Sequence, residues 1–152
     1  MPIPINMDVP ADEFFAADYK QYKHKTVQIN GWYRLNLFTR DTFRGQIIVP
    51  GYHVTNYKML DIRLERRHGV YTDVLQYLLP SSDSTNRLYA DSFGILWMQR
   101  PIFHNAMIVP FVDNESSIIN SPIITLNTAT IEEAMIVFQN IMSIKNSYWE
   151  SQ

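Results

Sequence analysis

From Val27 to Leu37 the apolar side chains Val27, Ile29, Tyr33, Leu35 and Leu37 share one parity, and Gln28, Asn30, Arg34 and Asn36 share the other. A period of two sends alternate side chains to opposite faces, so the stretch from Val27 to Phe38 is a strand with one dry face and one wet face. A strand of that kind cannot stand alone. It needs further strands beside it and a layer over its dry face. Gly31 interrupts the alternation and is expected to mark a bulge.

The rest of the chain supplies those partners. Leu60, Ile62 and Leu64 alternate with Asp61, Arg63 and Glu65, and Gln46–Val49 forms a short strand ahead of the break at Pro50-Gly51. Leu88–Met98 is apolar on both parities from Phe93 onward, as in a strand buried on both faces. Ile102–Phe111 and Ile118–Leu126 read as two more strands, with a turn at Asp113–Ser116 between them.

Two segments read as helix. Val70, Val74 and Leu78 are spaced by four with Tyr71 and Leu75 alongside, which predicts a short helix over 69–79, stopped by Pro80 and a loop at Ser81–Asn86. At the C-terminal end Thr130 and Glu133 form a capping box. The hydroxyl accepts from the Glu133 N–H, and the carboxylate reaches back to the helix start. Ile131, Met135, Phe138, Ile141, Met142 and then Tyr148 or Trp149 follow at spacings of three and four, so Met135, Phe138 and Ile141 are expected against the sheet.

Prolines at 2, 4 and 10 argue against helix and against unbroken ladder pairing, so residues 1–10 read as an extended N-terminal arm ahead of a single domain over 11–152. In that arm Ile3, Ile5, Met7 and Val9 share a parity and would offer an apolar edge to a neighbour. The expected class is α+β: a mostly antiparallel β-sheet packed against a C-terminal α-helix. The long βαβ alternation of a doubly wound fold is missing.

A chain of 152 residues buries roughly two-thirds of its unfolded surface and folds without staples. With 0 cysteines, disulfides and Cys-ligated metal centres are excluded. The formal net charge is −2, whereas phosphate neutralisation calls for a basic excess, so a nucleic-acid partner is not expected. The first ten residues lack the basic and apolar regions of a signal peptide, and no apolar run approaches the ~20 residues that span a bilayer. A cytoplasmic or virion location without membrane contact is the expectation.

Motifs for chemistry are sparse. Four histidines occur, and two lie in His-x-Thr triplets, His24-Lys-Thr26 and His53-Val-Thr55. The pair is similar to the facing triplets of the two-histidine phosphoesterases. There one imidazole is base, the other acid, and the threonines hold phosphate oxygens. Here the triplets lie about 30 residues apart in halves that do not repeat each other. The spacings of zinc and calcium motifs are missing, as are Gly-x-Ser-x-Gly and glycine-rich phosphate loops, so neither metal nor cofactor is expected. Lys58, Arg63, Arg66, Arg67 and His68 form one basic cluster, which reads as a solvated face.

The function expected from these features is that of a non-enzymatic structural or assembly subunit acting through protein–protein contacts, in self-association or a larger assembly such as a phage head or tail. Its contact residues would be Ile3, Ile5, Met7, Val9, Trp32 and Phe38. Two alternatives stand beside it: a small phosphoesterase using His24, Thr26, His53 and Thr55, and a monomeric inhibitor or immunity-type binding protein.

Overall fold

The architecture was read from a computed structural model, which describes residues 2–67, 69–81, 87–111 and 121–150, the last four by backbone only. Expectations for His68, the loop at 82–86, the turn at 113–116, the start of the strand placed at 118 and the side chains of Tyr148 and Trp149 lie outside these residues. The chain runs β1 (Pro2–Phe15), β2 (Asp18–Arg34), β3 (Asp41–Ile48), a 3-10 turn (His53–Asn56), β4 (Lys58–Met59), β5 (Ile62–Arg67), β6 (Val70–Pro80), β7 (Leu88–Arg100), β8 (His104–Pro110), β9 (Pro122–Leu126) and α1 (Ile131–Glu150). It is thus mostly antiparallel sheet with one C-terminal helix.

Apart from the two-residue β4, which pairs with β6, each strand pairs with the next in sequence, β3 with β5 across the interruption; β1 also pairs with β9, and β6 pairs with β7 as well as with β5. The ladder closes on itself as an up-and-down ring. β4 and β5 occupy successive stretches of one β6 edge, opposite Tyr77–Leu78 and Val70–Thr72. Closure leaves few strand edges exposed. Inside the ring lie Tyr33, Phe43, Ile47, Ile62, Leu64, Leu75, Tyr77, Leu96 and their neighbours, so the interior is a packed core. The outer face of β2 carries His24, Thr26, Gln28, Asn30, Trp32 and Arg34. A barrel that spans a bilayer has the opposite sidedness.

The second layer lies outside the ring. Phe14, Val70, Trp97, Met107, Val109 and Ile123 meet Ala134, Val137 and Ile141 of α1. Strands β7 to β9 therefore bury both faces, which is why Leu96, Trp97 and Met98 are all apolar. The capping box forms as expected: the Glu133 N–H donates to Thr130 Oγ1 at 3.2 Å, and Glu133 Oε2 accepts from the Ala129 N–H at 2.9 Å. Ile141 is fully buried, whereas Met135 and Phe138 are half-buried at the margin, Phe138 edge-on to Phe14 at 5.9 Å.

Three expectations are corrected. Residues 70–80 are strand β6, not a helix. A spacing of four is a multiple of two, so Val70, Val74 and Leu78 share a strand face as readily as a helix face. Tyr71, Leu75, Tyr77 and Leu79 turn inward. Gly31 is not a bulge. Its register runs unbroken between Ile5 and Gly45, and the irregularities fall at Phe14/Phe15 and at Leu75/Gln76, opposite Phe93.

The third concerns the arm. From Pro2 onward it is the first part of β1, paired with β2 residue by residue. The Thr128 N–H donates to the Pro10 carbonyl at 3.0 Å, which sets the even-numbered edge of β1 away from β2. Pro2, Pro4 and Pro10 all lie on that edge, and β9 begins to pair only at Ala11. The missing N–H groups therefore remove no β1–β2 bond. Ile5 and Val9 are buried in the chain's own core, with Ile3 and Met7 half-buried against it.

Candidate functional site

The two His-x-Thr triplets stand in different settings. His24 and Thr26 point outward from β2. Thr55 is buried in the 3-10 turn, where its hydroxyl accepts from the Val49 N–H at 2.9 Å and donates to the Tyr52 carbonyl at 2.8 Å. His53 is exposed and stands edge-on to Tyr57. A shallow depression beside His24 and Thr26 is completed by Pro10, Ala11, Lys25, Thr128 and Ala129, without His53 or Thr55.

The partner that sequence spacing did not reveal for His24 is Asp12. The two face each other across the β1–β2 ladder, and His24 Nδ1 contacts Asp12 Oδ1. Asp12 is fully buried, and its Oδ2 accepts from Thr128 Oγ1 at 2.7 Å. Thr128 in turn lies 2.9 Å from Thr125 Oγ1. The histidine is thus oriented by a carboxylate, but the hydroxyls of this network are spent on one another and on Asp12. Among the described residues no group of three metal-ligating side chains occurs.

The expected contact residues divide into two sets. Ile3, Ile5, Met7 and Val9 face the core, as described above. Trp32 and Phe38 lie outside, and the strand register sets arginines around Trp32. Trp32 pairs with Arg44, Arg34 with Thr42, and Thr42 with Arg63, all on the outer wall of β2, β3 and β5. Arg63 and Glu65 share that wet face, as the alternation implied. Arg44 is matched by Asp61 at 3.1 Å, while Arg40 and Arg67 reach Glu65 at 2.5 and 2.6 Å. Arg66 lies over the Tyr71 ring at 5.0 Å. Arg34 and Arg63 have no carboxylate partner among the described residues.

Above this wall stands the loop between β2 and β3. Leu37 is 85% exposed and Phe38 97%. The loop's base is built into the fold. The Asn36 N–H donates to Asp41 Oδ1 at 3.0 Å, and its side-chain amide donates to the Arg40 carbonyl at 2.7 Å. Asp41 is itself buried and accepts the Tyr33 hydroxyl at 2.9 Å. The strand expected to continue to Phe38 instead ends at Arg34, where Asn36 and Asp41 redirect the backbone. A groove between this loop and the end of β5 is lined by Arg34, Leu37, Phe38, Arg63 and Arg66.

A further cleft, of about 650 Å³, opens where the helix-covered layer runs out. Val74 and Ile95, directly paired across β6 and β7, and Trp97 next to them form its apolar floor. Lys145 of α1 lies over the Trp97 ring at 3.2 Å, and burial pushes its ammonium pKa down. Sequence separation between Trp97 and Lys145 concealed this cleft; the apolar outer parity of β7 was its only trace. No protein-family model, no curated protein and no solved structure matches the chain.

Proposed function

We propose that the chain is a non-enzymatic binding subunit that docks a partner protein through the β2–β3 loop and the arginine wall beside it. The observation that carries this reading is the pair Leu37 and Phe38, presented almost wholly to solvent from a base fixed by Asn36 and Asp41. Two adjacent large apolar side chains held away from their own core gain nothing from the fold. A pocket on another protein would bury them at little cost in loop entropy, because the base is already ordered.

The surroundings favour a protein partner with carboxylates around that pocket. Trp32, 54% exposed, and the nearby arginines are the residue types that dominate interface energetics. Arg34 and Arg63 need counter-charges that this chain does not provide among its described residues. Nucleic acid is disfavoured because Asp61 and Glu65 stand within the same wall. Two copies meeting face to face would set arginine against arginine, so the complementary surface belongs to a different protein. The assembly role expected from the sequence continues here as a proposal, with contact moved from residues 3–9 to the loop.

The test places a photo-crosslinking residue at position 38 of the full chain in its native host. Adducts are identified by mass, and the purified partner is titrated against the parent, the Leu37→Ser/Phe38→Ser chain and Arg34→Glu. One dominant protein adduct, bound at least tenfold more weakly by both variants, is the expected result; tenfold corresponds to about 1.4 kcal/mol. Equal binding by the variants, adducts without a dominant protein, an RNA adduct or a second copy as the adduct overturns the reading.

A further inference from the structure

We propose that the cleft between β5, β6, β7 and the C-terminal part of α1 binds a small organic carboxylate with an apolar body. Its volume of about 650 Å³ falls in the range of small-molecule sites, roughly 300–1,000 Å³. The floor is apolar and continuous with the layer under α1: Ile95 packs against that layer, and Trp97 belongs to it. Val74, opposite Ile95 in the ladder, is exposed at the cleft. The helix covers Trp97 with Lys145 but leaves the Val74–Ile95 pair open.

The charges around that floor are unequally committed. Asp61 is held by Arg44, and Glu65 by Arg40 and Arg67. Asp73 accepts from the Arg63 and Val74 backbone N–H groups, each at 2.8 Å. All three carboxylates of the cleft are therefore engaged. Two cations are not: the Arg63 guanidinium and the Lys145 ammonium have no carboxylate partner among the described residues. Lys145 is also partly desolvated on the indole face, so an anion there meets less competition from water. A carboxylate held by Lys145 and Arg63, with its apolar body over Val74 and Ile95, satisfies both cations and covers the floor.

The experiment titrates the full chain with 1-naphthoate, with naphthalene-1-methanol as the uncharged counterpart and acetate as the anion without a body. Binding is read by changes in the indole and methyl resonances of the protein. The expected result is saturable, sub-millimolar binding of naphthoate, with each control at least tenfold weaker. Lys145→Met and Arg63→Gln should each lose at least tenfold while keeping the parent's melting temperature, and Phe38→Ser should leave naphthoate binding unchanged. No saturation below millimolar, equal binding of either control, or unchanged affinity in both cation variants overturns the proposal. The Phe38→Ser control keeps this outcome separate from the protein-docking reading.

Discussion

Tyr33 donates its hydroxyl to Asp41 Oδ2 at 2.9 Å inside the barrel, and the other oxygen of that carboxylate holds the Asn36 N–H at the base of the exposed loop. Core and exposed loop therefore share one buried carboxyl group. Leu37 and Phe38 stand out because the chain is turned there by a hydrogen-bonded core residue.

The same contact makes stability depend on alkaline pH. Burial above all, then the hydrogen bond and charge of Asp41, pushes the Tyr33 phenol pKa well above its usual 10.0. Tyr52 is raised by burial and by Glu13, and Tyr77 by burial. Above about pH 10 the unfolded chain gives up these protons while the folded chain keeps them, so the unfolded state binds fewer protons and stability falls as pH rises. Below pH 10 this contribution is fully present. Urea midpoints should be flat from pH 8 to 9 and should fall steadily from about pH 10 upward. Tyr77→Phe should shift the curve at pH 8 but flatten its alkaline slope. A slope identical to the parent's would show that Tyr77 ionises freely in the fold.

Gly31 and Gly45 face each other across β2 and β3. A Cβ built on Gly45 would lie 2.0 Å from the Asn30 carbonyl oxygen and 2.6 Å from Gly31 Cα. Both obstacles are backbone, so no side chain can swing away. Gly45→Ala should destabilise by at least the about 1–3 kcal/mol usual for overpacking, measured in urea. A loss under about 0.5 kcal/mol, the scale of an ordinary surface substitution, would mean that the ladder opens here at little cost.

What was legible in the sequence was local. Val27, Ile29 and Tyr33 announced their shared inward face, and Thr130 with Glu133 announced the helix start, because both signals are complete within a few residues. Residues 70–80 carry an ambiguous signal because a four-residue repeat fits both helix and strand. The proline segment reads as an arm in sequence, but proline blocks a ladder only on the edge it faces, and Pro2, Pro4 and Pro10 share the edge turned away from β2. The candidate sites depend on register. Asp12 meets His24, and Trp32 meets Arg44, only once strands are aligned. Lys145 reaches Trp97 only once the helix lies on the barrel.

The helix should contribute to the stability of the whole domain. Ile141 is fully buried between α1 and the outer faces of β7 to β9. Ile141→Ala should cost about 2–5 kcal/mol. Thr130→Ala, which removes one half of the capping box, should cost about 1 kcal/mol. Both should lower a single cooperative melting transition. If Ile141→Ala splits the melt into two steps, the helix unfolds separately from the barrel.

The last prediction concerns Asp12 and His24. A fully buried carboxylate is costly unless it is compensated, and Asp12 has two partners, the Thr128 hydroxyl and the His24 imidazole. Oδ1 is buried beneath the His24 ring, and His24 is its one partner among the described residues. His24 is half-exposed, so packing alone would make its substitution mild. His24→Ala should nevertheless cost about 1–3 kcal/mol, the scale for losing a hydrogen bond to a carboxylate. Asp12→Asn keeps the shape, removes the charge, and can still accept from Thr128. On that background His24→Ala should cost much less, giving a coupling of at least about 1 kcal/mol in a double-mutant cycle. Additive effects within about 0.3 kcal/mol would show that the two residues are neighbours in the ladder without stabilising each other.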